Sequence, residues 1–336
     1  MLAAGHSLSG LATGYGACLA YSAISGHELY WLVPHVAAAV VAGWSLWPDI
    51  DSPRSTVSTS LGVVTRLLHE LVVIGCAAVY YATRAEADDP KKPVIHRGFT
   101  HTIPGALLAG LFIATVCALW PHWGTVVVLG ISLHWAARAL YIPNAIDKKL
   151  SLSRLKGKSP PQRIGVILYH RAGQSIRRRA TDIMKLAPLP GKYLRSFGRG
   201  GTLAICLGGA FLFTGQTTAF DTPAAGLLGL AAVVGCLTHC CGDSCTEAGV
   251  CWRFPFKHRS TGRRWQPTRW PKWLAFRAGA AFEIAVMYPL LVVAVILAAP
   301  GGFELVLHLV AAWRNGGGHV AALRFAPWQK TPPLLT

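Results

Sequence analysis

Acidic side chains are scarce in this sequence: 14 Asp and Glu among 336 residues, against 32 Lys and Arg, for a formal net charge of +18. Charged residues of either sign make up only 14%, where soluble domains carry roughly 25%. That shortage excludes an ordinary water-soluble helical protein, whose helices need a charged stripe on the solvent side. The nine cysteines include no Cys-x-x-Cys pair, so a zinc knuckle built on thiolates is not expected, and neither is a disulfide framework. Most of them lie inside apolar stretches, where a thiol behaves as a small hydrophobe. No Lys or Arg precedes the first apolar stretch, so a cleaved signal peptide is not expected either.

What the sequence has instead is apolar length. Runs near the roughly 20 residues of a spanning helix occur at 8–24, 29–47, 61–83, 102–120, 123–143, 202–220, 224–243 and 280–299, with a weaker one at 302–313. The expected fold is all-α: a polytopic helical membrane protein with about six to eight membrane-embedded helices. Residues 1–313 read as a single domain with a basic insertion at 144–200, and 314–336 as a flexible, Gly- and Pro-rich tail.

The positive charge is unevenly spread. Between 144 and 200 stand 14 Lys and Arg against Asp147 and Asp182, and between 252 and 277 eight Lys and Arg with no acid. Both segments are expected in the cytoplasm by the positive-inside rule, against anionic lipid headgroups. Arg177, Arg178 and Arg179 could touch nucleic acid, but no recognition motif accompanies them, and nucleic acid is not the expected partner.

Residue types that bind metals collect at four places, each beside an apolar run: Gly5-His6, Pro48-Asp49-Ile50-Asp51, His96-Arg97-Gly98-Phe99-Thr100-His101 and His239-Cys240-Cys241-Gly242-Asp243. A carboxylate or imidazole at a membrane boundary is costly to desolvate unless paired, hydrated or bound to an ion. His239 and Asp243 stand about 40° apart around a helix, so both can chelate one divalent ion; a helix-stabilising pair is the alternative. Pro48 and Pro53 impose an extended or turn conformation on Asp49 and Asp51. In an extended strand the two carboxylates point the same way and repel each other unless a cation lies between them. His96 and His101 are five apart, which no helix face accommodates, so they must meet across a turn, with Gly98 allowing the bend. Thr102 suits the cap of the next helix, and Pro104 its first turn. His69, His134, His170 and His258 lack such company and read as packing, interface or surface residues.

Hairpins at 8–47, 102–143 and 202–243 bring these places to one side of the membrane only if 61–83 does not cross it once. That run carries Arg66, His69 and Glu70, which suits an interfacial or re-entrant course.

In order and content the four motifs resemble the bacterial membrane-bound metal-dependent hydrolase family, the YdjM-like inner-membrane proteins. The resemblance runs from residue 1 to about 300 and takes in Gly249 to Phe256, Phe276-Arg277-Ala278-Gly279 and Glu283. A more distant similarity to helical zinc phospholipase C and P1-type nucleases suggests a phosphoester substrate. The implied centre draws on His6, Asp49, Asp51, His96, His101, His239 and Asp243 for one or two divalent ions, zinc first, with manganese or iron also compatible. Asp51 is the candidate general base and Arg97 the candidate donor to developing negative charge. An amphiphilic or phosphoester substrate at the cytoplasmic interface follows from that placement. The alternative is a non-catalytic metal-binding membrane protein or a transporter, whose polar residues would be spread through the depth of the helices.

Overall fold

The computed structural model describes residues 1–27, 29, 32–91, 93–140, 198–215, 222–271, 275, 276, 278 and 282–301. The basic insertion (apart from its last three residues), the run at 302–313, the tail, His170 and Arg277 therefore lie outside the described residues.

Among the described residues, eight helices carry the architecture: α1 (Ala3–Ser25), α2 (Leu32–Trp44), α3 (Val63–Thr83), α4 (Ile103–Leu119), α5 (Pro121–Leu140), α6 (Gly198–Gly215), α7 (Thr222–Ser244) and α8 (Tyr288–Ala298). Short 3-10 turns at Trp47–Asp51 and Phe99–His101 and a π turn at Glu283–Met287 complete it. The described residues contain no strand, only isolated bridges. The chain is a helical membrane protein: α3, α5 and α7 are long and apolar enough to cross a bilayer, and α4 and α8 are shorter apolar helices. Large apolar side chains stand outward on α4, among them Leu107, Leu111 and Phe112. In water such a surface is a liability; in lipid it is the solvent contact.

Helix α2 lies at the centre, packed on α1, α5 and α7; α7 also packs on α4 and α1, α6 on α5, and α8 on α1. Small residues let these backbones meet. A methyl group on Gly229 of α7 would stand 2.6 Å from the Gly110 carbonyl oxygen of α4. Trp44, Trp47 and Trp135 pack in the shared core, their ring centres 5.4 to 6.1 Å apart, and the Trp135 indole donates to Ser60 Oγ at 3.0 Å.

Each hairpin leaves and re-enters at the same end. The start of α1, the end of α2, the start of α4 and the end of α7 meet there, and the two 3-10 turns sit among them. Helix α3 is different. It packs chiefly on those two turns, and its side chains are arranged inside out. Thr65, His69, Cys76 and Tyr80 face inward, while Val63, Leu67, Leu71, Ile74 and Tyr81 face outward.

Candidate metal centre

The four sequence motifs converge at this end of the bundle. Asp49 and Asp51 do not lie in a strand: the turn between the prolines is 3-10, and an oxygen of each carboxylate still lies within 4.8 Å of the other and of a His96 ring nitrogen, a group that could hold a metal ion. They take opposite nitrogens of the same ring. Asp51 Oδ2 is 3.4 Å from His101 Nδ1, and Asp49 Oδ1 is 3.8 Å from His101 Nε2.

His239 Nδ1 donates to the Ser45 carbonyl at 2.7 Å, which leaves its Nε2 with a lone pair. His101 Nδ1 is engaged by Thr100 Oγ1 at 3.0 Å and by Asp51, leaving its Nε2 likewise. These two Nε2 atoms face each other at 3.1 Å. Asp49 Oδ1 lies 3.7 Å from His239 Nε2, and Asp243 Oδ2 lies 3.7 and 3.6 Å from the two imidazoles. Tetrahedral donors at the roughly 2.0–2.2 Å bonds of zinc stand about 3.3–3.6 Å apart. His101 Nε2, His239 Nε2 and Asp243 Oδ2, at 3.1 to 3.7 Å, therefore fit a divalent ion in both spacing and chemistry, and Asp49 Oδ1 lies within 3.8 Å of both imidazole nitrogens.

The surrounding groups orient these donors. The Asp51 carboxylate accepts from Thr100 Oγ1 at 2.7 Å, the His96 ring at 2.8 Å and the Arg97 amide at 3.3 Å. Arg97 Nε reaches Asp243 Oδ2 at 3.0 Å, and its guanidinium also donates to Thr246 Oγ1 at 2.7 Å. Arg97 thus joins the His96–His101 loop to the end of α7. It does so from a left-handed backbone, φ 62°, so the unusual dihedral falls on the arginine and not on Gly98. Gly98 is needed for space: a Cβ there would meet the Val94 carbonyl oxygen at 2.1 Å.

His6 stacks on His239 with ring centres 3.7 Å apart, and its Nε2 is 3.3 Å from Asp243 Oδ1, which the Met1 amine also contacts at 2.6 Å. Its Nδ1 is buried and makes no hydrogen bond. His96 is the outlier. Its ring is 53% exposed at the mouth of the site, whereas His101 and His239 are fully buried.

Burial works against charge on Asp49, but His239, His101 and His6 outweigh it and hold the carboxyl below its usual range. Burial likewise opposes charge on Asp51, and His101 and His96 bring it down to about 2. For His101 burial favours the neutral ring, yet Asp51, Asp49 and Asp243 raise it to about 9. Three carboxylates thus favour positive charge at this point, which a proton or a divalent ion can supply.

Residues 1–140 match the model of the YdjM inner membrane protein family. Over that stretch the chain is similar to that family, and the match covers less than half of its length. No curated protein and no solved structure matches the chain. The YdjM-like part contains His6, Asp49, Asp51, His96, Arg97 and His101; His239 and Asp243 lie beyond it and join the centre by geometry.

Ser45, Thr100 and Thr246 hold the donors in place and were not singled out by the sequence. Thr100 stands inside the His-Arg-Gly-x-Thr-His motif, which was the available signal. Ser45 works partly through its carbonyl oxygen, which no sequence pattern reveals. The cysteines at 236, 240, 241, 245 and 251 are free thiols and belong to none of the described metal-binding groups. Thr102 caps α4, accepting from the Gly105 amide at 3.1 Å.

Proposed function

We propose that this chain is a membrane-bound metal-dependent hydrolase acting on a phosphoester or lipid-like substrate at the cytoplasmic face of a bacterial inner membrane. The observation that carries the reading is the meeting of His101 Nε2 and His239 Nε2 at 3.1 Å, with Asp243 Oδ2 and Asp49 Oδ1 each at 3.6 to 3.8 Å from both. A divalent ion held there, zinc first among the candidates, supplies Lewis acidity and a bound water of lowered pKa. The chain's own groups do the rest. Asp51, acting through His101 Nδ1, fixes which ring nitrogen faces the ion. Arg97 holds Asp243 and lines the mouth, where it balances negative charge. His96, backed by Asp51, presents its other nitrogen at the opening, in reach of an incoming anionic group. The candidate donors gather at one end of the helices, which supports a site over a transport path.

The test is metal content of the detergent-purified protein by mass spectrometry, beside Asp49→Ala and His239→Ala. Near-stoichiometric metal, lost in both variants, is the expected result, followed by hydrolysis of phosphoester probes that needs the metal. A folded protein that takes up no metal even after reloading overturns the reading.

A further inference from the structure

Helix α3 has the length and apolarity of a membrane crossing. Its surroundings do not allow one. The chain enters α3 from Asp51 and returns to His96, and these two residues are hydrogen-bonded at 2.8 Å. Both ends of the excursion are therefore at the level of the metal centre. If α3 crossed the bilayer, residues 84–95 would have to cross back. The described residues of that return form turns and irregular chain, not a helix, and Arg84, Glu86, Asp89 and Lys91 are exposed along it. Irregular backbone facing lipid cannot satisfy its N–H and C=O groups, and exposed charges add to the cost.

The inside-out arrangement of α3 says what covers it instead. The inward face carries hydrogen-bonding groups that hold the site end together: His69 Nδ1 meets the Ile50 carbonyl at 2.6 Å, and the Tyr80 hydroxyl donates to the Asp89 carbonyl at 2.7 Å. The outward face is an apolar stripe of Val63, Leu67, Leu71, Ile74 and Tyr81, with Arg66 and Glu70 at one edge. Beyond the C-terminal end of α3, Trp265 and Phe254 pack on Tyr80, and the segment they belong to exposes Arg253, Lys257, Arg259, Arg263 and Arg269. Phe256, 75% exposed, and Trp270 stand among these cations. Cations interleaved with aromatic rings fit an anionic headgroup layer, and the stripe fits the acyl chains just beneath it.

We infer that α3 is an in-plane helix seated in an anionic leaflet, lying over the metal centre and placing its mouth at headgroup level. This surface is independent of the reaction at the centre, and it makes the leaflet itself the partner of α3 and of the basic segment.

The experiment uses the full chain in right-side-out and inside-out inner-membrane vesicles. Arg66→Cys and Arg84→Cys, near opposite ends of α3, are treated with a membrane-impermeant maleimide, and labelling above that of the native thiols is read. Both variants are expected to label in the same vesicle type. Labelling in opposite types shows a crossing and overturns the inference. Glu70→Cys and Glu86→Cys provide a second pair should either of the first fail to insert. In the purified protein returned to phosphatidylcholine–phosphatidylglycerol vesicles, bimane on Ile74→Cys is expected to be quenched by brominated acyl chains. Absence of quenching overturns the lipid-facing stripe. Metal content measured on the same preparations separates either failure from a failure of the metal centre.

Discussion

Helices α3 and α7 are alike as sequence, each about twenty residues long and apolar enough to cross a membrane, yet they stand in opposite relations to the protein. Helix α7 packs along one side on α1, α2 and α4, leaves Leu227 and Leu230 outward, and brings His239 and Asp243 to the site end of that seam. Helix α3 touches the 3-10 turns of the site, turns Thr65, His69 and Tyr80 inward and leaves its apolar face uncovered. Apolar content therefore reports contact with something apolar, whether protein or lipid. Neighbours on both sides of the helix decide which one.

The comparison can be broken most forcefully at the polar end of α7. Asp243→Asn keeps the shape of the side chain but removes the charge that faces two imidazoles and Arg97. Changes to outer partners of a metal site cost roughly 10–100-fold in affinity, so loss of a direct donor should exceed about 100-fold. Competition with a metal chelator in detergent reads that number.

Packing along α7 should be the next most sensitive. Gly229→Leu forces a side chain into the Gly110 backbone and is expected to destabilise by about 1–3 kcal/mol, seen as a lowered Tm. The smallest effect belongs to α3 and has the opposite sign. Nothing lies within 4 Å of a Cβ placed on Gly75, which sits mid-helix on the outer face. Gly75→Ala should therefore stabilise by about 0.5–1 kcal/mol through helix propensity alone, by the same measurement. Equal losses at Gly229 and Gly75 would show that both helices are enclosed.

The helices were legible in the sequence because membrane spans announce themselves by length, and the four motifs because acids and paired histidines are rare in such a chain. Thr102 as the cap of α4 was legible for the same local reason. Geometry inside the motifs was less so. Two prolines around Asp49 and Asp51 permit a strand or a turn, and the 3-10 turn that forms sets the carboxylates on opposite sides of His101. Gly98 invited the left-handed conformation, which falls on Arg97 because that arginine is tethered to Asp243 and Thr246. Those tethers span more than a hundred residues, beyond the reach of any local pattern.

The long span between donors has a consequence for how the protein is made. His101 and His239, whose Nε2 atoms meet at 3.1 Å, are separated by 138 residues. A nascent chain that has inserted only its first two hairpins holds Asp49, Asp51 and His101 as an open, negatively charged half-cradle. The half-cradle gains its remaining donors when α7 is delivered to the bilayer. An ion that needs both imidazoles would therefore be captured only after the third hairpin is in place, and its presence would mark a molecule whose membrane insertion has gone to completion.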